Sequence, residues 1–168
     1  KTFIYNIAHF NIMKLRKFQK SDTKEVALLI SRTYKKFNSS DYFDAKAAKD
    51  YINFFNPSKT SEKEIFEIFS KASIFYVAEE NGEIIGTIRG NPDRISSLFV
   101  DGTQHKKGIG KKLLLKFEKE SSKQGLKEIK LRSQLFSVIF YEKMGYKKTR
   151  GIINANGLKV YPMRKVLN

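Results

Sequence analysis

Apolar side chains recur along this chain first at helical spacing, then at strand spacing, and the changes of period mark its elements. Leu15 and Phe18 belong to a short opening strand. Asp22-Thr23-Lys24-Glu25 has the form of a helix cap, and Val26, Leu29, Ile30, Thr33, Tyr34 and Phe37 share one face of the helix that follows. A second helix is predicted over 45–55, stopping near Pro57. Ser61-Glu62-Lys63-Glu64 is a capping-box pattern ahead of Ile65, Ile68 and Phe69. Strand runs 74–78 and 83–89 flank Asn81-Gly82, a two-residue hairpin signal because both residues tolerate positive φ. Asn91-Pro92-Asp93 turns into a strand over 94–100. Ile109, Leu113, Leu114 and Phe117 then repeat at helical spacing, 126–132 reads as a strand, and 134–144 as a helix with Gly145 at its C-cap. A hairpin around Asn156-Gly157 ends the chain. The predicted order is β-α-α-(α)-β-β-β-α-β-α-β-β, one α/β unit with no internal repeat.

Composition narrows the class. With 168 residues, 40% of them hydrophobic, the chain can bury a single ordinary core. No apolar run reaches the roughly 18 residues of a membrane span. Residues 1–12 lack the apolar segment of a signal peptide and read as an upstream extension, with one domain over 13–168. A cytoplasmic location follows as the default expectation. The absence of cysteine excludes a cysteinyl-acyl intermediate, and His9 and His105 have no paired ligand spacing, so no metal is expected.

The most informative stretch joins the strand Ser96-Ser97-Leu98-Phe99-Val100 to His105-Lys106-Lys107-Gly108-Ile109-Gly110-Lys111-Lys112. A strand breaks into a glycine-bearing turn that opens directly into a helix. Helix N-termini present unpaired N–H groups and the positive end of the dipole, so they favour anions. Glycine lets a ligand reach that backbone. A P-loop does not fit, because five residues separate Gly102 from Gly108 and Lys111-Lys112 follows Gly110. A dinucleotide fingerprint fails at Leu113, where a third glycine is needed.

The turn does resemble the acyl-CoA-binding motif Gln/Arg-x-x-Gly-x-Gly/Ala of the GCN5-related N-acetyltransferases, with His105 in place of the first residue. Phe140-Tyr141-Glu142-Lys143-Met144-Gly145-Tyr146 resembles a second segment of that family, Phe-Tyr-Glu-Lys-x-Gly-Phe/Tyr. Gln134 stands where many members have asparagine, and Ser137 where a small apolar residue is usual. The order of elements matches over 13–167. The resemblance implies a GNAT-like acyl-CoA N-acyltransferase fold, a mixed central sheet with helices on both faces. It implies acetyl-CoA as cosubstrate, held by Leu98, Phe99, Val100, His105, Lys106, Lys107, Gly108, Ile109, Gly110 and Lys111, with Gln134, Ser137 and Phe140 beside them. It further implies direct transfer, in a ternary complex, to a primary amine of a small molecule or a protein. A backbone N–H near Phe99 would polarise the thioester carbonyl, and Tyr141 would protonate the departing thiolate. Many relatives pair through the sheet edge or C-terminal strands, which makes a homodimer an option here.

Charge adds a further expectation. The formal net charge is +16. Seven lysines against Glu118 and Glu120 crowd residues 103–123, whereas 41–83 holds nine acidic residues and five lysines. A basic cofactor end and an acidic, cation-accepting end would produce this asymmetry; so would a lysine-rich chain with solvated faces. Tyr141 has Val138 and Met144 at helical spacing, as a core aromatic would. The basic surface would also suit a non-catalytic module binding nucleic acid or acyl-CoA, although the glycine turn and Tyr141 together favour an enzyme over nucleic-acid binding. For the general base, Asp93, Glu79, Glu83 and a water chain are equal candidates. The acceptor pocket is expected from 31–60 and the final hairpin, with Tyr34, Phe37, Tyr42 and Phe43 as candidate walls.

Overall fold

Local chemistry sets most boundaries in the computed structural model, which describes residues 13–37 and 42–167. The expected extension, 1–12, and Asp41 lie outside the described residues. After β1 (Lys14–Lys17) and one 3-10 turn comes α1 (Thr23–Phe37). α2 (Ala45–Phe54) begins at Asp44, whose carboxylate accepts the Lys46 N–H at 2.8 Å. α3 (Glu62–Phe69) opens with the reciprocal Ser61–Glu64 box. β2 (Ile74–Glu80) and β3 (Glu83–Asn91) are joined by Asn81 and Gly82, with φ of 54° and 81°. β4 (Arg94–Val100), α4 (Ile109–Lys123), β5 (Glu128–Gln134), α5 (Val138–Lys143), β6 (Lys147–Lys148), β7 (Ile153–Ala155) and β8 (Leu158–Val166) complete the order.

Two expected boundaries move, each because backbone pairing overrides local propensity. Leu126 donates its N–H to the Ser121 carbonyl (3.2 Å), closing the end of α4 rather than starting β5. Gln134 pairs with Val160 of β8, so the expected helix over 134–144 shrinks to a 3-10 turn, 135–137, and the six-residue α5.

The strands form one mixed sheet in the order β1-β2-β3-β4-β5-β8, with β6 and β7 both on the far edge of β8. β4 and β5 are parallel; the other pairs are antiparallel. Each face of the sheet is covered. On one, Ile109, Leu113, Leu114 and Phe117 of α4 meet Ile88, Ile95, Ile129, Leu131, Tyr141 and Met163. On the other, Val26, Leu29 and Ile30 of α1 meet Phe55, Ile65, Phe69, Phe75 and Val77. No helix of the described residues is long and apolar enough to cross a membrane.

What positions the site is the junction of β4 and β5. Their pairing consists of one register position, Arg94 opposite Lys130, supported by the Lys130 N–H on the Asp93 carbonyl at 2.9 Å. The register of β3 against β4 shifts just there. Gly90 faces Ile95 and Arg89 faces Ser97, leaving Ser96 as the extra residue of a bulge. A bulge bends its strand and raises local twist, and from this point β4 departs from β5. Gly90 backs the bulge so closely that a Cβ there would run into the Arg94 carbonyl oxygen. Gly90→Ala is therefore expected to lower stability by about 2 kcal/mol or more, the scale of forced overpacking. The denaturant midpoint against wild type measures it.

Candidate active site

Beyond the bulge, β4 has a bonded neighbour on one side only. The Asp101 N–H donates to the Ile85 carbonyl (2.9 Å), and Gly86, Thr87 and Ile88 face Val100, Phe99 and Leu98. Antiparallel ladders alternate, so Phe99 spends its N–H and C=O on Thr87 of β3, whereas those of Leu98 and Val100 point into the gap beside β5. This corrects the expectation that the amide near Phe99 polarises the substrate. The available amides belong to Leu98 and Val100. The Val100 carbonyl accepts the His105 Nε2–H at 2.9 Å, which places a proton on Nε2 and ties the following turn to the strand end.

That turn ends in an open helix terminus. Gly108 is the N-cap of α4, with φ of 79° and no side-chain cap. The first internal helix bond is Lys112 N–H to the Gly108 carbonyl, 3.0 Å. The N–H groups of Ile109, Gly110 and Lys111 thus lack intrahelical partners at the positive end of a 15-residue helix. Lys106 and Lys111 flank them, while Lys107 donates to Gln104 (2.8 Å). Gly110 packs beneath Phe140, which a Cβ would meet at 3.5 Å, an ordinary contact.

The gap itself is a cavity of about 230 Å³. One wall is Ile95 to Phe99 of β4; the other is Leu131 to Gln134 of β5, with Ser137 and Tyr141. The Tyr141 ring is mostly buried against Phe140 and Tyr146, with ring centres 5.1 and 5.7 Å away. Its hydroxyl makes no hydrogen bond with a described residue, and burial pushes the phenol far above its usual value. On the opposite side, Tyr34 and Tyr51 stack at 4.5 Å, and Gln134 Nε2 donates to the Tyr34 hydroxyl at 2.9 Å. Burial pushes the Tyr51 phenol up to about 12, against an opposing pull from Arg89. Ala155, Asn156, Leu158 and Val160 of the terminal hairpin form the floor. The hairpin is held there by the Gly157 carbonyl, which accepts the Phe43 N–H at 2.7 Å.

Among the described residues, no Asp or Glu lines the cavity. Four of the eight acidic residues of 42–83 are engaged elsewhere. Asp44 caps α2, Asp50 pairs with Lys46, Glu64 closes the capping box, and Glu79 binds Arg16 and Lys14. Among the described residues the expected acidic acceptor end is not found at the cavity; these four carboxylates serve helix caps, a helix-surface pair and a strand-edge pair. Glu79 is thereby removed as a base, and neither Asp93 nor Glu83 lines the cavity.

A sequence profile for the acetyltransferase (GNAT) domain matches residues 38–167. The chain is also 30% identical to a UPF0039 protein of Schizosaccharomyces pombe over 142 residues, which is 78% of this chain and 93% of that one. The chain belongs to the GNAT acetyltransferase family.

As an N-acetyltransferase of this family it shares its fold with solved structures. A GCN5-related N-acetyltransferase from Rhodopseudomonas palustris superposes with a TM-score of 0.77 at 19% identity, covering 92% of this chain and 95% of that one. The PaiA N-acetyltransferase of Thermoplasma acidophilum, solved in complex with coenzyme A, gives 0.70 at 22%, covering 93% and 99%. Within the acetyltransferase, Leu98, Phe99, Gln134, Ser137 and Tyr141 come together at the cavity, and the 106–111 turn lies at the head of α4 beside the Val100 end of β4. Of the candidate acceptor walls, Tyr34 is in place. Phe37 instead stacks on His105 and Phe136 (4.6 and 5.1 Å), and Phe43 is exposed beneath Lys159. Tyr51 and Asn156 line the cavity from the two segments expected to wall the acceptor pocket, 31–60 and the final hairpin, whereas Ser97 and Arg132 reach it through strand register, without an individual sequence signal.

The two glycines of the turn should respond differently to alanine. Gly108→Ala places a Cβ in left-handed backbone and is expected to cost about 1 kcal/mol. Gly110→Ala meets the Phe140 ring edge and a Val100 methyl at ordinary contact distance and should leave stability unchanged or slightly raised. Chemical denaturation of the two variants provides the comparison.

Proposed function

We propose that the protein transfers the acetyl group of acetyl-CoA directly to a primary amine, with Tyr141 as the proton donor to the leaving thiolate. The observation that carries this reading is the conjunction of the unpaired β4 amides, the open α4 N-terminus and the Tyr141 hydroxyl around one gap. The pyrophosphate would rest on the N–H groups of 108–111, where dipole, amides and lysines combine. The pantetheine arm would extend along β4 as a surrogate strand, bonding to Val100 and Leu98 in place of β5. Its thioester would then lie by Leu98, whose N–H stabilises charge growing on the carbonyl oxygen during attack.

The amine enters from the α1–α2 side, between Tyr34, Tyr51 and the terminal hairpin. As its nitrogen bonds to the carbonyl carbon, the C–S bond breaks. One proton leaves the nitrogen and one arrives at sulfur, which Tyr141 supplies. The described residues lining the cavity offer no carboxylate base, and in this reading the nitrogen's proton leaves through water. A nucleic-acid module is the weaker reading, because the amide row and the buried phenol serve no purpose in it.

Gly110→Glu should abolish detectable coenzyme A binding by calorimetry while the melting temperature holds, because it places an anion where phosphates would bind. Unchanged affinity in the folded variant would remove the site.

Tyr141→Phe retains the ring and its contacts, so kcat should fall by about 10²-fold with coenzyme A affinity and melting temperature preserved. The donor is active when protonated and its folded value is raised, so the active form is lost only as pH climbs past that raised value. The kcat profile should therefore show no alkaline limb from Tyr141 below about pH 10. Full activity in a folded Tyr141→Phe protein would contradict the assignment, whereas an alkaline limb below about pH 10 that this variant abolishes would contradict the raised phenol value and leave the donor role standing.

A further inference from the structure

Resting on the acceptor side assigned above, we infer that the acceptor is a primary amine that also bears a carboxylate, received by Arg89 with Ser97 and Tyr51. Arg89 of β3 lies directly across from Ser97 of β4, so the two side chains leave the sheet on the same face, that of α1, α2 and α3. Ser97 lines the cavity and immediately precedes Leu98, whose amide faces the gap. Tyr51 lines the cavity too, within electrostatic reach of the guanidinium of Arg89, which is not itself a lining residue and would be reached past Ser97 and Tyr51.

The polar groups here lack protein partners. Arg89 makes no hydrogen bond or ion pair with a described residue, and its Nε is fully buried. The Ser97 Oγ is likewise buried and unbonded. The guanidinium rests over the rings of Phe69 and Phe55, 5.1 and 5.9 Å from their centres. Aromatic faces offset part of the cost of taking a cation out of water, but they accept none of its N–H groups in the fork geometry that guanidinium offers. A buried arginine held this way is complementary to a planar anion, which it binds by two parallel hydrogen bonds. Arg132, exposed and also without an ion pair among the described residues, adds positive field at the cavity wall, where none of the described lining residues is a carboxylate. The amine is thus oriented by its carboxylate, and no acidic group is needed to hold its cationic end.

Matched acceptors test this directly: L-lysine against cadaverine, L-phenylalanine against phenethylamine, and O-phosphoethanolamine against ethanolamine, each followed by thiol release from acetyl-CoA. The carboxylate-bearing member should have a kcat/KM higher by about tenfold or more, the worth of a hydrogen-bonded charge. Arg89→Met should erase that difference by raising KM with little change in kcat, leaving carboxylate-free amines and coenzyme A affinity unaffected. Arg89→Lys should restore part of it. Removing an unpaired buried charge should hold or raise the melting temperature of Arg89→Met; a merely structural arginine would lower it and impair all amines alike. Equal turnover within pairs, or a preference confined to the phosphate pair, would overturn the inference. If no amine releases thiol, direct transfer fails as a reading. The carboxylate site is then judged by melting temperature alone, and stabilisation by L-lysine but not cadaverine, lost in Arg89→Met, would still support it.

Discussion

Backbone groups on a strand must find hydrogen-bond partners, and the arrangement of this protein turns on a strand that has them on one side only. β3 satisfies β4 along its length, but β5 meets it at a single position before the Ser96 bulge turns the two apart. Two neighbouring strands of one sheet therefore enclose a gap lined by unpaired amides. The sheet can tolerate this opening because β5 is secured from its other edge by seven register positions with β8. The α4 core then holds both strands from beneath. The gap is thus rigidly framed, which suits a ligand that must lie in one orientation.

Charge follows a related logic of paired and unpaired groups. Carboxylates are consumed in fixing the scaffold. Arg16 sits between Asp22 and Glu79, at 2.7 and 2.6 Å, and Lys165 meets Glu118 at 2.8 Å under the sheet. The Asp22 hydrogen bond, with that of Glu79, holds the Arg16 guanidinium even further above its usual value despite burial. What lines the gap among the described residues is positive or neutral, with Arg132 at its wall, the head of α4 and its lysines beyond the Val100 end of β4, and Arg89 across from Ser97. The excess of lysine in the composition is spread over the surface, whereas the charges that matter for chemistry are few and set by position.

The burial of Tyr141 is compatible with the role proposed for it. Its ring belongs to the α4-side core, packed against Phe140 and Tyr146, so the side chain has one position. The same burial that fixes it disfavours the phenolate, which keeps the hydroxyl protonated across the neutral range. The core aromatic and the proton donor proposed above would be one residue viewed from two sides.

The sequence by itself determined the elements and their order, because caps, turns and periodicity are local. The Ser61–Glu64 box, the Asn81-Gly82 and Asn156-Gly157 turns and the glycine turn before α4 each depend on residues a few positions apart. It also exposed the α4 head and Tyr141 through two short motifs. Tertiary structure alone decided which β4 amides face the gap, since register with β3 sets their phase and a one-residue error reverses it; hence Leu98 and Val100 rather than Phe99. It alone ended the helix expected from 134, where pairing with β8 prevailed. It alone dispersed the acidic residues of 42–83, whose proximity in sequence said nothing of where their side chains point. Arg89 and Ser97 lie eight residues apart on different strands, and no local pattern could have paired them. Only a bulge and a shared ladder place their unpartnered groups side by side.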